Sequence, residues 1–513
     1  MNIQRLFQDI PVLAAQLTLP LEITALTEDS RAVAPGALFV AVPGVYVDGH
    51  SFLQDAVAHG AVAAIGEAAI DSFPIPYFQV SNSRRIFSEL AAAWHGHPAR
   101  KLILTGVTGT DGKTTTVNLL YHILKASGIQ TGMISTVNAV LGSRTMDTGL
   151  HVTTPDPMAL QAMLAEMVES GLTHAVLEVT SHGLAQHRVL PEDFQIAVLT
   201  NVTHEHLDYH GSFQAYCDAK AMLFQAEPAQ GGTKICILNR GDPSCALLEE
   251  KAVGRIVTYG AKNADYTARQ ARFDSRGLHA VLDTPRGSFT IESTLLGEYN
   301  LSNIMAAFSA AVEGLGIRPE LAAHGIADLA GIPGRMELID LGQPFLALVD
   351  FAHTPNALRV TLETCRTLTA GSVIAVFGSA GLRDREKRRM MAWESARHAN
   401  TTIFTAEDPR TEDVDAILAE MADGAEAGSG VERESFWRIP DRGEAIAFAL
   451  SLASPGDLVV VCGKGHEQSM CFGDLEYPWD DRTALRAALS RLLDVAGPAM
   501  PYLPTQENRT PDV

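Results

Sequence analysis

What this chain lacks narrows its function first. Its six cysteines (Cys217, Cys236, Cys245, Cys365, Cys462 and Cys471) are scattered, with no Cys-x-x-Cys pair. That argues against a cysteine zinc site and a disulfide framework, and reduced thiols in a cytosol are expected. Positive charge is also scarce, with 39 Lys and Arg against 60 Asp and Glu and a formal net charge of −21. A nucleic acid or an acidic membrane would need a basic face, so neither partner is expected. Small anionic ligands stay allowed, because backbone N–H groups, local cations and Mg²⁺ can hold them inside an acidic protein. No apolar run is long enough to span a bilayer, and MNIQRLFQDIP lacks the basic start and apolar core of a secretory signal. No repeat of fixed period occurs. The expectation is a soluble cytoplasmic protein.

The chain has 513 residues, 46% of them hydrophobic, enough for about three domains that each bury a core. Three blocks can be separated. Residues 1–98 hold short strand-like runs such as ALFVAV (37–42), and WHGHPARK (94–101) reads as a linker. Residues 99–335 alternate helical segments with apolar runs: LILTG (102–106), HAVLEV (174–179), IAVLTN (196–201) and KICILN (234–239). These read as buried strands of a mostly parallel sheet. The alternation restarts over 336–495 with ALVDF (347–351), VIAVFG (373–378), TTIFTA (401–406) and DLVVVCG (457–463), a second doubly wound unit. The Pro-rich segment 496–513 is expected to be a disordered tail.

The strongest local motif is TGVTGTDGKTTT (105–116), between a predicted strand and a predicted helix. Gly109 and Gly112, flanking Thr110 and Asp111, let the backbone wrap around phosphates. Lys113 supplies a cation, the Thr114 hydroxyl is placed for Mg²⁺, and Thr115 follows. A strict Walker A loop would have glycine at 107, where this chain has Val107, so the motif is a variant. By itself it says only nucleoside triphosphate. Glu178 closes an apolar strand, where a parallel sheet presents its functional end, and could bind Mg²⁺ as a Walker B acid does. Without the loop it would read as a solvated strand-end Glu. The cluster His204, His206 and His210 lacks the cysteine partners or His-Glu-x-x-His spacing of a zinc site.

GTDGKTTT, EVTSHGLAQHR, NVTHEHLDYHG with Lys220, EYNLSNIMAA, GRME and DFAHTP occur in that order. Together they resemble the Mur ligase family. GSAGLRDREKRRM (378–390), EDPRTED (407–413) and GKGHEQ (463–468) match its third-step members, and EDSR (28–31) with LFVAVPG (38–44) extends the likeness to the N-terminal block. The resemblance implies three α/β domains: a small UDP-substrate domain, a central phosphate-loop ATPase with a mostly parallel sheet, and a C-terminal Rossmann-like domain for the amino acid. It also implies ATP-driven addition of a diamino acid to UDP-N-acetylmuramoyl-L-alanyl-D-glutamate through an acyl phosphate. A monomer is expected.

Carried over residue by residue, Lys113 and Thr114 would hold the ATP phosphates and metal, with Glu178 and His206 at Mg²⁺. Lys220 matches the family lysine that carries a carbamate, an anion able to bind Mg²⁺; out of that context it would read as a surface lysine. Asn303, Arg335 and Asp350 match nucleotide contacts. Ser30, Thr153, Thr154, Thr180, Gln186 and Arg188 match positions that hold the UDP-sugar dipeptide. In the C-terminal block, Arg383, Arg410 and Glu467, with Gly463, offer the cations and anion that a free amino acid needs. The family's Asp-Asn-Pro-Arg loop goes with meso-diaminopimelate. Here it is Glu407-Asp408-Pro409-Arg410, and Asp408 is expected to add negative charge near the ligand. meso-Diaminopimelate is favoured, with L-lysine and L-ornithine open. A folylpolyglutamate synthetase would not be expected to carry both EDSR and GKGHE, and a silent relative should have lost Lys113, Glu178, His206 or Lys220.

Overall fold

The computed structural model describes the chain except residues 18–19, 45–46, 148–152, 204–206, 261 and 507–513. It forms two compact units, one of Met1–Ala268, Leu282–Phe289 and Ser302–Ile326, the other of Arg269–Val281, Thr290–Leu301 and Ala327–Val513.

The first unit opens with a parallel sheet of β1 (Ala25–Thr27), β2 (Ala37–Val40), β3 (Ala63–Gly66) and β4 (Tyr77–Gln79) in chain order. β2 and β3 are buried at every position, which is why ALFV and AAIG are unbroken apolar runs. The helix Ser83–Trp94 follows, started by Asn82, whose side chain accepts from Arg85 N at 2.9 Å. Although a linker is predicted at 94–101, this N-terminal region and the central region share one compact unit. Asn82 bonds His187, Arg85 pairs with Glu192, and Ser88 Oγ donates to the His187 carbonyl.

The central strands are β5 (Ile103–Thr108), β6 (Thr131–Ile134), β7 (Asn138–Val140), β8 (Thr145–Asp147), β9 (His174–Glu178), β10 (Phe194–Leu199), β11 (Ile235–Asn239) and β12 (Arg255–Gly260). They lie in the order β12-β11-β10-β5-β9-β6-β7-β8, antiparallel only at β6–β7 and β7–β8. β5 therefore has later strands on both sides, and its carboxyl end opens at a switch point, where α/β sheets bind ligands. A meander of β13 (Tyr266–Asp274), β14 (Gly277–Thr284) and β15 (Gly287–Ser293) follows, its residues divided between the units.

The second unit is built on β16 (Glu337–Leu338), β17 (Leu346–Asp350), β18 (Val373–Phe377), β19 (Thr401–Phe404), β20 (Phe436–Arg438) and β21 (Leu458–Cys462), in the order β16-β17-β21-β18-β19-β20. All pairs but β16–β17 are parallel. Alternate residues feed two cores: Leu348, Ala375, Phe377, Phe404 and Val460 face one set of helices, Val349, Ile374, Val376, Ile403 and Val461 the other. Each apolar run read as a strand in the sequence forms one. A short hairpin, β22 (Ser469–Phe472) and β23 (Leu475–Pro478), completes the unit.

The tail differs from expectation over 496–506. Leu503 is fully buried in the second core, Met500 packs beside it, and Thr505 Oγ1 donates to Asp441 Oδ2 at 2.7 Å. Two apolar side chains in a polar segment are enough to anchor it. No helix among the described residues is long and apolar enough to cross a membrane.

Candidate active site

In the first unit, the phosphate loop leaves β5 and enters the helix Lys113–Ala126. Gly112 has φ +81°, and a Cβ there would collide with Asn303 Oδ1, so the conformation and the close approach both require glycine. Asn303, read from sequence as a nucleotide contact, thus lies against this loop. Neighbouring strand ends hold it: Thr110 N donates to Asn201 O at 2.8 Å, Asp111 N to Asn201 Oδ1 at 2.9 Å, and Thr200 Oγ1 to Asp111 O at 2.6 Å. Lys113 Nζ folds over the loop to Thr110 O at 2.6 Å. Thr115 is buried in the first helical turn. The loop thus presents a helix N-terminus and an ammonium together, an anion cradle.

Thr114 Oγ1 donates to Glu178 Oε2 at 2.9 Å, and Thr136 N donates to the same oxygen at 3.0 Å. Both Thr114 and Glu178 are buried. Two hard oxygen donors side by side at a phosphate cradle suit a divalent cation that keeps several waters, as Mg²⁺ does. No group of three or more His, Cys, Asp or Glu able to hold a metal occurs among the described residues, and such a cation needs none. Lys220 is not a surface lysine. It lies inside the helix Phe213–Gln225, 1% exposed, with Nζ donating to Gly109 O at 2.6 Å and standing 4.4 Å from the Tyr216 ring centre. His206 and His204 lie outside the described residues, while His210 bonds Ser181 Oγ at 3.1 Å.

A hydroxyl network continues from Glu178. Thr136 Oγ1 donates to Thr153 Oγ1 at 3.1 Å, Thr154 Oγ1 lies 3.0 Å from Thr180 Oγ1, and Arg188 Nη1 donates to Thr154 O at 2.9 Å. Gln186 Oε1 accepts from Arg188 Nε and Nη2, while its amide donates to Tyr209 OH. Ser30 begins a 3₁₀ turn capped by Asp29. Two residues earlier, lost solvation raises the Glu28 carboxyl above its ordinary range, against the pull of Arg84 and Arg188. Thr136 was missed in the sequence, where nothing distinguishes it from other strand-end threonines.

The second unit gathers the other candidates at the carboxyl ends of its strands. Asp350 ends β17 and accepts from Met336 N, Ala352 N and Thr361 Oγ1, so it anchors the GRME turn. Arg335 lies with its guanidinium 4.6 Å from the Phe351 ring centre, and His466 packs on the same ring. Burial first, then Arg335 and other nearby cations, push His466 down to about 3. Glu407 follows β19. Its Oε2 is buried with no hydrogen-bond partner among the described residues, and a Cβ on Gly463 would collide with it. Burial raises this carboxyl to about 7.

Asp408 has a partner that the sequence did not show. Its carboxylate accepts from Lys464 Nζ at 3.0 and 2.9 Å and from Cys471 N at 2.9 Å, so its charge is offset in part within the protein. Lys464, 1% exposed, also pairs with Glu467 and joins the EDPR loop to the GKGHE loop. Sequence reasoning passed over Lys464 although it lies inside that motif. Pro409 and Arg410 complete the turn, with Arg410 N donating to Cys471 O, and Arg383 is exposed on the adjoining loop.

Three family models match in chain order: Mur ligase family, catalytic domain, over 22–95; Mur ligase middle domain over 107–311; and Mur ligase, glutamate ligase domain, over 334–465. A UDP-N-acetylmuramoyl-L-alanyl-D-glutamate–2,6-diaminopimelate ligase of Geobacillus kaustophilus is 41% identical, over 91% of this chain and 95% of its own. A UDP-N-acetylmuramyl-tripeptide synthetase of a Roseiflexus species is 42% identical over 92% and 95%. A solved structure of a UDP-N-acetylmuramoyl-L-alanyl-D-glutamate–2,6-diaminopimelate ligase aligns with a TM-score of 0.65 at 31% identity, covering 92% of this chain and 95% of that one. A folylpolyglutamate synthase of Mycobacterium tuberculosis, at 17% identity and a TM-score of 0.59, shares the fold. With its three segments matched in order and relatives above 40% identity along nearly its whole length, the chain belongs to the Mur ligase family and is an ATP-dependent ligase.

Proposed function

We propose that this ligase joins meso-diaminopimelate to UDP-N-acetylmuramoyl-L-alanyl-D-glutamate in the cytoplasm, as a monomer, for peptidoglycan synthesis. The observation that carries the choice of amino acid is nearly full-length likeness to relatives named for diaminopimelate. The pairing of Asp408 with Lys464, a cation it shares with Glu467, weakens the objection from the EDPR loop, because part of the negative charge facing a ligand that ends in a carboxylate is offset. Arg410 then offers that carboxylate a planar guanidinium.

The chemistry follows from the poor reactivity of a carboxylate. The γ-phosphoryl group of ATP passes to the glutamate side-chain carboxylate, breaking its P–O bond to the β-phosphate, so that ADP leaves and an acyl phosphate forms. The incoming amine forms the new C–N bond, and the tetrahedral adduct expels phosphate with the C–O electron pair. The protein positions and stabilises charge. The phosphate loop, Lys113 and Asn303 would hold the triphosphate, and Arg335 and Asp350 would serve the nucleotide. Thr114, Glu178, His206 and a carbamylated Lys220 would hold Mg²⁺, which when bound offsets charge on the phosphate oxygens. Ser30, Thr153, Thr154, Thr180, Gln186 and Arg188 would hold the UDP-linked dipeptide. Arg383, the loop 407–410, Gly463 and Glu467 would hold the amino acid. On this reading residues 1–98 serve the UDP substrate, 99–335 the ATP and 336–495 the amino acid.

The test offers purified protein ATP, Mg²⁺ and the UDP-dipeptide with meso-diaminopimelate, L-lysine or L-ornithine in separate tubes, with products weighed by mass spectrometry. A tripeptide with meso-diaminopimelate alone is expected. Product with lysine or ornithine instead would overturn the amino-acid assignment, and folded, ATP-binding protein giving no product would overturn the reaction.

A further inference from the structure

Two of the amino-acid loops touch through backbone. Gly381 N donates to Asp408 O at 3.0 Å, and a Cβ on Gly381 would collide with Pro409 O. Three residues in this small region are left-handed without being glycine: Leu382 at φ +56°, Asp408 at +40° and Arg410 at +55°. Such residues persist only where the surroundings over-determine them.

One buried guanidinium supplies much of that determination. Arg388 lies in the helix Arg385–His398 with its side chain 1% exposed. Its Nη1 and Nη2 donate to Glu412 Oε2 and Oε1 at 3.0 and 2.9 Å, Nη1 also donates to Glu420 Oε2 at 3.0 Å, and Nη2 to Ala380 O at 3.3 Å. Glu412 Oε1 also accepts from Leu382 N, and Glu412 N donates to Pro409 O at 3.1 Å. A single planar fork is thereby bonded to the shoulder of the Arg383 loop and, through Glu412, to the Arg410 turn. Hydrogen bonds from Arg388 and Leu382 N hold the Glu412 carboxyl down at about 2, so the clamp stays charged across the neutral range.

We infer that Arg388 is a positioning residue for the amino-acid substrate: through Glu412 it fixes the spacing of Arg383 and Arg410 without touching the ligand. The inference rests on the reading that these two loops receive the diamino acid. A ligand with carboxylates at fixed separation is sensitive to that spacing, and lysine cannot copy the two parallel N–H bonds to Glu412.

The test measures steady-state ligation by the full chain with each of the three substrates varied in turn. Arg388→Lys is expected to raise KM for meso-diaminopimelate on the order of tenfold, with KM for ATP and for the UDP-dipeptide within about twofold, because misplacement of a binding group acts on the ligand it serves. Glu412→Gln should move the same KM in the same direction by less. Its side chain is 26% exposed, so it carries the test should Arg388→Lys fail to fold. Equal shifts in all three KM values, or a lowered melting temperature with an unchanged KM for diaminopimelate, would reduce Arg388 to a structural residue and overturn the inference. Wild-type protein that ligates no diaminopimelate defeats the functional reading instead, which separates the two failures.

Discussion

The phosphate loop of the first unit and the amino-acid loops of the second are both turns at strand ends, held in opposite ways. The phosphate loop is a backbone device. Glycine supplies the φ +81° at Gly112, and its ties run mostly to main-chain atoms and amide or hydroxyl groups of one neighbouring segment, Thr200 and Asn201. The amino-acid loops are a side-chain device. Their left-handed positions are Leu382, Asp408 and Arg410, and buried ions from elsewhere hold them: Lys464 on Asp408, Arg388 on Glu412, Arg442 on Asp481. On the proposed function, the difference follows from the ligands. A phosphate chain is recognised by N–H groups that any short glycine-rich loop can aim. A free amino acid needs opposite charges at fixed separation, and each charge presented must be steadied and balanced by another residue.

The largest effect is expected where the side-chain device is most buried. Arg442 and Asp481 are both fully buried; Nε and Nη2 of Arg442 reach the two carboxylate oxygens at 2.7 Å each. The same guanidinium donates to Ala406 O and Cys462 O, the residues before Glu407 and Gly463. Arg442→Ala should cost about 3–5 kcal/mol, since it leaves an uncompensated buried carboxylate. Denaturant unfolding checks this, and a loss under about 1 kcal/mol would mean that the loops are not anchored this way.

Lys220 is the charged exception in the backbone-built region. Lys220→Ala should lower kcat by roughly 10²–10³, the usual cost of removing one preorganised charge from an active site, with the circular dichroism spectrum kept. Partial rescue by a small carboxylate would mark the carbamate as the missing group, and wild-type turnover would remove Lys220 from the site. Gly112→Ala comes next. The strain of a left-handed alanine is about 1–2 kcal/mol, and contact with Asn303 adds to it. KM for ATP should rise about tenfold with KM for diaminopimelate unchanged. Equal rises in both would blur the contrast between the two regions.

The same contrast decides what was legible in the sequence. Buried strands declare themselves as apolar runs, and every such run read as a strand is one, down to VIAVF at β18 with both faces buried. The phosphate loop is local too, and Thr114, Lys113 and Glu178 stand where the strand–loop–helix pattern puts them. The charge state of the amino-acid loops was not legible. Asp408 looked like an anion near the ligand because its partner, Lys464, is 56 residues away in sequence. Arg388 is one of five basic residues between 383 and 389, and no pattern marks which of them is buried. Long-range pairing carries no period, so sequence spacing cannot reveal it.

The smallest effect expected is a pH dependence confined to the side-chain device. Burial raises the Glu407 carboxyl to about 7; Arg442, Lys387 and Lys464 pull it down and Asp408 pushes it up, with Asp481 just beyond Arg442. A carboxyl raised in the folded state stabilises the fold in its protonated form. That contribution is complete below the ordinary value of 4.5 and is lost as pH rises through about 7. Ligand binding runs the other way, because only the ionised form attracts the ammonium of the incoming amino acid. Between pH 6 and pH 8, kcat/KM for diaminopimelate should rise several-fold, of the order set by ionising one group, while KM for ATP stays flat. Glu407→Gln should flatten the amino-acid profile and raise the melting temperature more at pH 8 than at pH 5, since the variant has no buried charge to form. A profile that keeps its rise in Glu407→Gln would assign the titration to another group and make the amino-acid loops as insensitive to pH as the phosphate loop.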